Sequence, residues 1–274
     1  MSKVSLFLQL ARCALLEPHR PVLANLVVTR RCNLSCGYCH EYDQVSPPVP
    51  TEVLRERIDH LARLRTVLVT LTGGETLLHP DIAALVAHVG ARGMTALLNT
   101  NGFLLTRGRI DALNDAGLFG MQLSIDGVRP TAVSRKAFKT LLPKLELLAE
   151  HARFRVRVNT VLGACPPEEA VAVARAVNAL GLEAKCSLAR DQAGALLPVD
   201  DAGRAAYDEI RSLERDVSSY LSEDFQVTLL RQGRVDWKCR AGARYFHVSE
   251  DGLVQYCPAH AGRGGIPLAD FGEA

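Results

Sequence analysis

The sequence predicts an α/β fold: a partial (β/α)6 TIM-like barrel of parallel strands, followed by a small C-terminal α+β extension. Two observations favour it. Short apolar segments alternate with helical segments six times between residues 21 and 200, as is typical of parallel strands joined by right-handed crossovers. Polar or glycine-rich clusters directly follow the apolar segments, and the active site of such barrels lies at the carboxyl ends of the strands.

Residues 1–20 precede the predicted barrel. The segment 3–16 is apolar, but Gln9 and Arg12 interrupt it, and prolines follow where the cleavage site of an export signal would be expected. We interpret it as an amphipathic helix that packs on the core. Association of this helix with a membrane surface is the alternative.

Within residues 21–200, the predicted barrel core, strands and helices are distinguished by the period and length of their apolar runs. The predicted strands are 21–29, 67–71, 94–99, 119–125, 154–161 and 182–188, and the predicted helices between them are 51–65, 80–93, 107–116, 135–151 and 167–180.

The character of the chain changes in residues 201–274, the predicted extension. A polar helix is expected over 201–223. Two short strand-like runs, 245–248 and 253–256, flank an Asp-Gly pair at Asp251, which predicts a β-hairpin.

Composition narrows the classes of partner. The chain has 32 Lys and Arg against 30 Asp and Glu, a net charge of +2, which is too balanced to favour nucleic acid or an anionic membrane as the main partner. No run of about 18 apolar residues predicts a transmembrane helix. Eight cysteines without an export signal indicate metal ligation in a reducing cytoplasm rather than disulfides.

Three of these cysteines are close together after the first predicted strand. Cys32, Cys36 and Cys39 have the spacing C-x3-C-x2-C. Three thiolates can hold three irons of a [4Fe-4S] cluster and leave the fourth iron open. With the neighbouring His40, the same cysteines can instead make a tetrahedral Cys3His zinc site.

This motif, with the aromatic Tyr38 before its last cysteine, resembles the signature of the radical S-adenosylmethionine (SAM) enzymes. Further elements that resemble the family's follow in its order at the ends of successive strands: Gly-Gly-Glu at 73–75, Asn-Thr-Asn-Gly at 99–102, Ser-Ile-Asp-Gly at 124–127 and Asn-Thr-Val at 159–161. The resemblance implies that the open iron of a [4Fe-4S] cluster binds SAM and that one electron from the cluster cleaves it. The 5'-deoxyadenosyl radical then abstracts hydrogen from the substrate.

The resemblance also implies which residues contact SAM at the second strand. Gly73 and Gly74 would direct backbone carbonyls at the methionyl ammonium group, and Glu75 would add negative charge. Thr76 replaces the proline that is usual in this element. A tight turn with a helix-capping acid is the alternative interpretation.

Later strands supply the other SAM contacts that the resemblance implies. Ser124 would contact SAM, whereas we interpret Asp126 as a turn residue. Arg135 would reach the SAM carboxylate, with Arg129 as the competing candidate. The Tyr38 ring would lie against the adenine. Three amides would hold ribose, carboxylate or substrate, or would only satisfy backbone groups at the strand ends: Asn99, Asn101 and Asn159.

Two cysteines lie at the feet of the C-terminal hairpin. Cys239 and Cys257 resemble the start of the auxiliary iron–sulfur site in the twitch and SPASM branches of the family, which implies a second cluster. Cys186 or Cys165 would supply a further ligand, or the chain is a truncated form. A pair of reduced structural cysteines remains the alternative.

The sequence thus predicts a radical SAM enzyme that acts on a peptide or small-molecule substrate and receives electrons from a flavodoxin or a ferredoxin-type donor. A serine or histidine nucleophile is not expected, and no catalytic residue can be named. The alternatives are a non-catalytic zinc or iron–sulfur module and, among enzymes, a hopanoid-type adenosyltransferase. Specific binding of SAM separates the module from the enzyme.

Overall fold

The computed structural model of this chain describes residues 3–17, 19–39, 42–190, 196–214, 228, 230–233, 240–256 and 264–272. These residues form an α/β fold around one sheet with the strand order β6-β5-β4-β3-β2-β1-β7-β8-β9. Strands β1 to β6 are parallel, and each pairs with the next along the chain. The predicted fold class is confirmed.

Each of the first six strands is followed by a helix that returns the chain to the amino edge of the sheet. The strands are β1 (Leu23–Thr29), β2 (Leu68–Gly73), β3 (Thr95–Thr100), β4 (Gly120–Ser124), β5 (Arg155–Leu162), β6 (Glu183–Leu188), β7 (Tyr245–Val248), β8 (Leu253–Gln255) and β9 (Ile266–Pro267). The helices are α1 (Lys3–Leu15), α2 (Thr51–Arg63), α3 (Ile82–Ala91), α4 (Arg107–Asp115), α5 (Phe138–His151), α6 (Pro167–Ala179) and α7 (Asp201–Leu213), with short 3-10 turns at Thr76–Leu78 and Leu268–Asp270.

Side-chain alternation along the strands separates an apolar outer face from a polar inner face. Residues such as Leu26 of β1 and Leu98 of β3 belong to the main core beneath the helices. The alternate residues of the strands face the inner side, where Asn25 donates to the Tyr245 hydroxyl at 2.8 Å. Further hydrogen bonds on this side run from Asn99 to Thr72 and from Asn159 to Ser187.

The C-terminal hairpin joins the main sheet. Strands β7 and β8 pair antiparallel, as predicted. The sequence did not indicate that β7 also pairs in parallel with β1, from Leu23 opposite Tyr245 to Leu26 opposite Val248. The first strand therefore has a neighbour on each side, which fixes the strand from which the cysteine segment leaves.

Two predicted helix boundaries are wrong. The helix expected over 201–223 ends at Leu213, and Glu214 is its extended C-cap. The helix expected from residue 135 begins at Phe138, because the chain before it is held in an extended form against the end of β4. The amide of Asp126 donates to the Lys136 carbonyl at 2.8 Å, and the amide of Phe138 donates to the Gly127 carbonyl at 2.8 Å. Residues 125–137 consequently form a long connection, the β4–α5 loop.

Helix α1 lies at the amino edge of the sheet, opposite the predicted site. Leu6 and Cys13 are buried with Val67, which directly precedes β2, whereas Phe7 is 70% exposed. Among the described residues, the structure has no helix of the length and hydropathy needed to cross a membrane.

Candidate functional site

The cysteine loop, residues 30–43, leaves the carboxyl end of β1. Its two ends are held together as a narrow stem, since the Cys32 amide donates to the Asp43 carbonyl at 2.9 Å and the Asp43 amide donates to the Arg30 carbonyl at 2.9 Å. The three thiols lie on the segment beyond this stem. Backbone hydrogen bonds alone therefore hold the two ends of the loop together, without a metal.

The glycine pair at the end of β2 supports that stem. The Gly74 amide donates to the Thr29 carbonyl at 2.8 Å, and the Glu75 amide donates to the Arg31 carbonyl at 2.9 Å. A Cβ on Gly73 would lie 2.1 Å from the Thr29 carbonyl oxygen, and a Cβ on Gly74 would lie 2.3 Å from that of Arg30. Only glycine allows the chain to approach itself this closely, so the pair is required by the cysteine loop itself.

Glu75 is buried completely, and its carboxylate is saturated by protein donors. Oε1 accepts from the Thr100 hydroxyl at 2.6 Å and from the Leu77 amide at 3.0 Å, and Oε2 accepts from the Asn101 amide at 2.7 Å. Burial raises the pKa of Glu75, although the three donors oppose that shift. The carboxylate therefore joins the ends of β2 and β3, and Thr76, beside it, donates to the Asn99 carbonyl at 2.6 Å.

Asn101 connects this network to the first thiol. Its side-chain amide donates to Asn33 Oδ1 at 2.7 Å and lies 3.7 Å from Cys32 Sγ, and the Leu34 amide lies 3.4 Å from the same sulfur. Hydrogen bonds to cysteine sulfurs are among the features that tune iron–sulfur clusters. Burial raises the pKa of the Cys32 thiol and so disfavours the thiolate. Ligation to a metal cation offsets this cost.

The three loop cysteines differ in exposure: Cys32 is half-buried, Cys36 is buried and Cys39 is exposed. In the part of the chain that the structure describes, no group of three Cys, His, Asp or Glu side chains converges on a single ion position. Three thiolates are the type of donor that a [4Fe-4S] cluster takes, and the fit of the site to a cluster rests on this donor chemistry. His40, the fourth ligand of the zinc alternative, lies outside the described residues.

The β4–α5 loop covers the other side of the cysteine loop. The Tyr38 hydroxyl donates to Asp126 Oδ2 at 2.7 Å, and Ser134 Oγ donates to the same oxygen at 2.6 Å. Lys136 Nζ is 3.2 Å from it. Burial and the nearby Asp126 raise the pKa of Tyr38. The interpretation of Asp126 as only a turn residue is therefore wrong: its carboxylate is buried and binds the cysteine loop.

Sequence reasoning missed Ser134 and Lys136 because the predicted helix 135–151 puts Lys136 in its first turn and Ser134 just before it. In the structure both residues belong to the extended β4–α5 loop, and both side chains reach the Asp126 carboxylate. The available signal was the Asp-Gly pair at Asp126, after which a Ser-x-Lys segment can fold back on the strand end.

The remaining predicted SAM contacts occupy the ends of β4 and β5. Ser124 is the register partner of Asn159, so the structure brings these two together. The Asn159 amide donates to Ser187 Oγ of β6 at 2.9 Å. Arg135 and Arg129 are both exposed on the β4–α5 loop, and the structure does not separate these two candidates.

The cysteines predicted for an auxiliary site are in contrasting positions. Cys186 is fully buried in the main apolar core, which favours a structural thiol. Cys165 is half-buried above β5, where burial, Asp126 and Glu169 raise the pKa of its thiol to about 12. Cys239 and Cys257 lie outside the described residues.

Known proteins resemble this chain in sequence and in fold. The PqqA peptide cyclase of Xanthomonas oryzae pv. oryzae (strain MAFF 311018) is 29% identical over 262 residues, covering 87% of this chain and 68% of the relative. Streptococcus suis SuiB bound to precursor peptide SuiA has a TM-score of 0.72 at 12% identity over 98% of this chain, and SuiB bound to S-adenosylmethionine has a TM-score of 0.67 at 15% identity over 96%. This chain covers 66% and 67% of those two SuiB chains.

A family model for the Radical SAM superfamily matches residues 26–186, which is more than half of the 274 residues of the chain. The matched segment begins within β1, contains the cysteine loop and ends within β6. The chain belongs to the Radical SAM superfamily.

Proposed function

We propose that this chain cleaves SAM reductively at a [4Fe-4S] cluster held by Cys32, Cys36 and Cys39, and that it acts on a peptide. When bound, the cluster supplies one electron to the sulfonium of SAM, and the resulting carbon radical removes hydrogen from the substrate. The chain's own residues hold the loop, orient SAM and exclude water. The observation that carries the proposal is the attachment of a closed three-cysteine loop to the carboxyl ends of β2, β3 and β4.

The first role of the protein is to preorganise the cysteine loop. Gly74 and Glu75 bind its stem through backbone amides, and Asn101 donates towards Cys32. Because these contacts come from strand ends rather than from a mobile segment, the thiols need little reorganisation to receive the cluster. We assign Glu75 to this positioning role instead of to direct neutralisation of the SAM ammonium group.

The second role is to bind SAM along the same edge. Backbone carbonyls of Gly73 and Gly74 are proposed for the ammonium group, and the exposed Arg135 for the carboxylate. Ser124 and its register partner Asn159 are proposed for the ribose and the substrate side. The Tyr38 ring is proposed to lie against the adenine.

A peptide substrate is supported by two relatives, one a peptide cyclase and the other a protein bound to a precursor peptide. The polar inner face of the barrel is consistent with a substrate that makes many hydrogen bonds. We further propose a flavodoxin or ferredoxin-type electron donor and a reducing, cytoplasmic setting, since the thiols of the cysteine loop must stay reduced to bind a cluster. An auxiliary cluster at Cys239 and Cys257 remains part of the proposal.

The test of the cleavage step is anaerobic reconstitution with iron and sulfide, followed by dithionite and SAM and chromatography for 5'-deoxyadenosine. We expect product from the wild type and none from Cys36→Ala. Cys13→Ala is the matched control, because it removes a buried thiol at the opposite edge of the sheet and should retain activity. A protein that carries one zinc and forms no 5'-deoxyadenosine would establish the structural module instead.

The test of the substrate class uses a lysate of deuterium-labelled cells, separated into a peptide fraction and a small-molecule fraction. Hydrogen abstraction from the substrate transfers deuterium to 5'-deoxyadenosine. We expect labelled product with the peptide fraction. Labelling only with the small-molecule fraction would refute the peptide proposal while leaving SAM cleavage intact. Iron counted per chain, about four against about eight, reports on the auxiliary site.

A further inference from the structure

The β4–α5 loop and the cysteine loop are joined by a buried polar cluster, of which the proposed chemistry uses only the Tyr38 ring. We call this cluster the Asp126 clasp and define it as Tyr38, Asp126, Ser134 and Lys136. A backbone bond runs parallel to it, from the Gly37 amide to the Val133 carbonyl at 2.8 Å. The clasp and this bond therefore connect the end of β4 and its loop to the two residues, Gly37 and Tyr38, that lie between the second and third cysteines.

Charge and burial set the clasp apart from surface ion pairs. Asp126 is 1% exposed, and the Lys136 side chain is 11% exposed. Removing such a pair from water is expensive, and well-packed apolar residues often stabilise a protein as much as a buried pair does. Stability alone therefore gives little reason to place a carboxylate and an ammonium group beneath the cysteine loop.

The two oxygens of Asp126 are used unequally. Oδ2 accepts from the Tyr38 hydroxyl and from Ser134 and faces Lys136 Nζ. Oδ1 is buried and has no hydrogen-bond partner. An unsatisfied buried oxygen costs stability, so the arrangement favours a fixed position for Oδ2 over the satisfaction of both oxygens.

Lys136 also fixes the position of the Tyr38 hydroxyl. Its Nζ donates to that hydroxyl and lies 4.8 Å from the ring centroid, so the ammonium group is at the hydroxyl end of the ring and close to the ring plane. The hydroxyl is therefore held by two buried groups, Asp126 Oδ2 and Lys136 Nζ, and this limits where the ring can lie.

The clasp reaches the second cysteine as well. Ser134 Oγ is 3.8 Å from Cys36 Sγ while it is bonded to Asp126. The Asp126 carboxylate thus orients Ser134 beside Cys36 Sγ and Lys136 beside the Tyr38 hydroxyl. In the sequence, Cys36 and Cys39 lie on either side of Tyr38.

We propose that Asp126 is a positioning residue for SAM binding: together with Lys136 it fixes the hydroxyl of Tyr38 and thereby the position of its ring, and it holds the cysteine loop at the end of β4. The inference rests on the proposed function, because the group bound against the Tyr38 ring is the adenine of SAM. Asp126 touches neither SAM nor the cluster in this account and acts through Tyr38 and Ser134.

The experiment is a double-mutant cycle on the reconstituted protein with Asp126→Ala, Tyr38→Phe and the double variant, and the readout is the dissociation constant of SAM. Each single variant should weaken SAM binding about tenfold, and the double variant should be no weaker than either single variant, because both remove the same contact. Asp126→Asn, which keeps an acceptor oxygen for Tyr38, should recover most of the affinity. Asp111→Ala, which removes an exposed carboxylate paired with Arg107 on α4, should leave SAM affinity unchanged.

A second readout is the electron paramagnetic resonance spectrum of the reduced cluster, which should respond to SAM in the wild type and respond less in Asp126→Ala. Additive effects in the cycle, or unchanged SAM affinity in Tyr38→Phe, would overturn the clasp. Tyr38→Phe retains the packing of the site, so the SAM affinity of this variant decides the matter even if Asp126→Ala does not fold. Failure of the wild type to form 5'-deoxyadenosine would instead overturn the proposed function.

Discussion

Glu75 and Asp126 are both carboxylates buried at the carboxyl edge of the sheet, but their hydrogen bonding differs. Both oxygens of Glu75 accept from protein donors, two of which are backbone amides. Asp126 concentrates its partners, all of them side chains, on one oxygen. The comparison indicates that Glu75 fixes the backbone from which the cysteine loop leaves, whereas Asp126 fixes the direction of a side chain within that loop.

Glu75→Ala should produce the largest loss of stability. It leaves the Thr100 hydroxyl and two backbone amides buried without an acceptor, and we expect the free energy of unfolding to fall by about 3 kcal/mol or more. Glu75→Gln should cost about 1 to 3 kcal/mol, because its NH2 group must face one of these donors. Urea denaturation measures both.

Asp126→Asn is the matched substitution at the other carboxylate. The side-chain carbonyl of asparagine still accepts from Tyr38, so the loss of stability should be smaller than for Glu75→Gln. The loss of SAM affinity should be small but larger than the error of the wild-type measurement. Equal effects of the two substitutions on stability would remove the distinction between the carboxylates.

Gly74→Ala tests the support of the loop stem by β2. Its Cβ would lie 2.3 Å and 2.4 Å from the carbonyl oxygens of Arg30 and Arg31, so the stem must move, and we expect a loss of about 1 to 3 kcal/mol together with reduced iron content. Gly90→Ala in α3 is the control, since no atom lies within 4 Å of the added methyl group. This control should gain about 0.5 to 1 kcal/mol. Full iron content in Gly74→Ala would contradict the role of the glycine pair.

Asn101→Ala sharpens the account of the Glu75 network without removing the carboxylate. Loss of the side-chain donor near Cys32 Sγ should make the reduction potential of the cluster more negative, since donors to sulfur stabilise the reduced state. A redox titration followed by electron paramagnetic resonance measures the shift. Asn114→Ala, whose amide bonds the His151 carbonyl far from the loop, should leave the potential unchanged.

The smallest expected effect on stability is that of Glu17, at the amino edge of the sheet. Hydrogen bonds from Arg20 and Arg65 lower the pKa of Glu17 from 4.5 to about 2. Because the folded pKa is the lower one, the stabilisation is present above pH 4.5 and is lost as the pH falls towards 2. Wild type and Glu17→Gln should therefore differ in denaturation midpoint at pH 7, and that difference should shrink below pH 4.5. A difference independent of pH would contradict the assignment.

The sequence was sufficient for the parallel core because β1 to β6 are either apolar runs or alternate between apolar and polar residues, and each is followed by polar or glycine residues. It also predicted that the cysteine segment and the clusters containing Gly74 and Asn101 follow the carboxyl ends of their strands, which parallel strands bring to one edge. These predictions depend on patterns within a single element or on the shared direction of the strands.

Contacts between loops could not be predicted in the same way. The fold of the β4–α5 loop depends on backbone bonds of Asp126 and Gly127 to Lys136 and Phe138, which have no periodic signal. The pairing of β7 with β1 likewise depends on a contact between residues more than 200 positions apart. The local interpretation of Asp126 as a turn residue failed for the same reason.

The most direct test of the central claim is Mössbauer spectroscopy of the 57Fe-reconstituted protein with and without SAM. Three cysteine ligands leave one iron of the cluster open, so SAM should change the signal of one iron in four, and Cys36→Ala should show no such site. Spectra that are identical with and without SAM, or a protein that retains only zinc, would contradict the account.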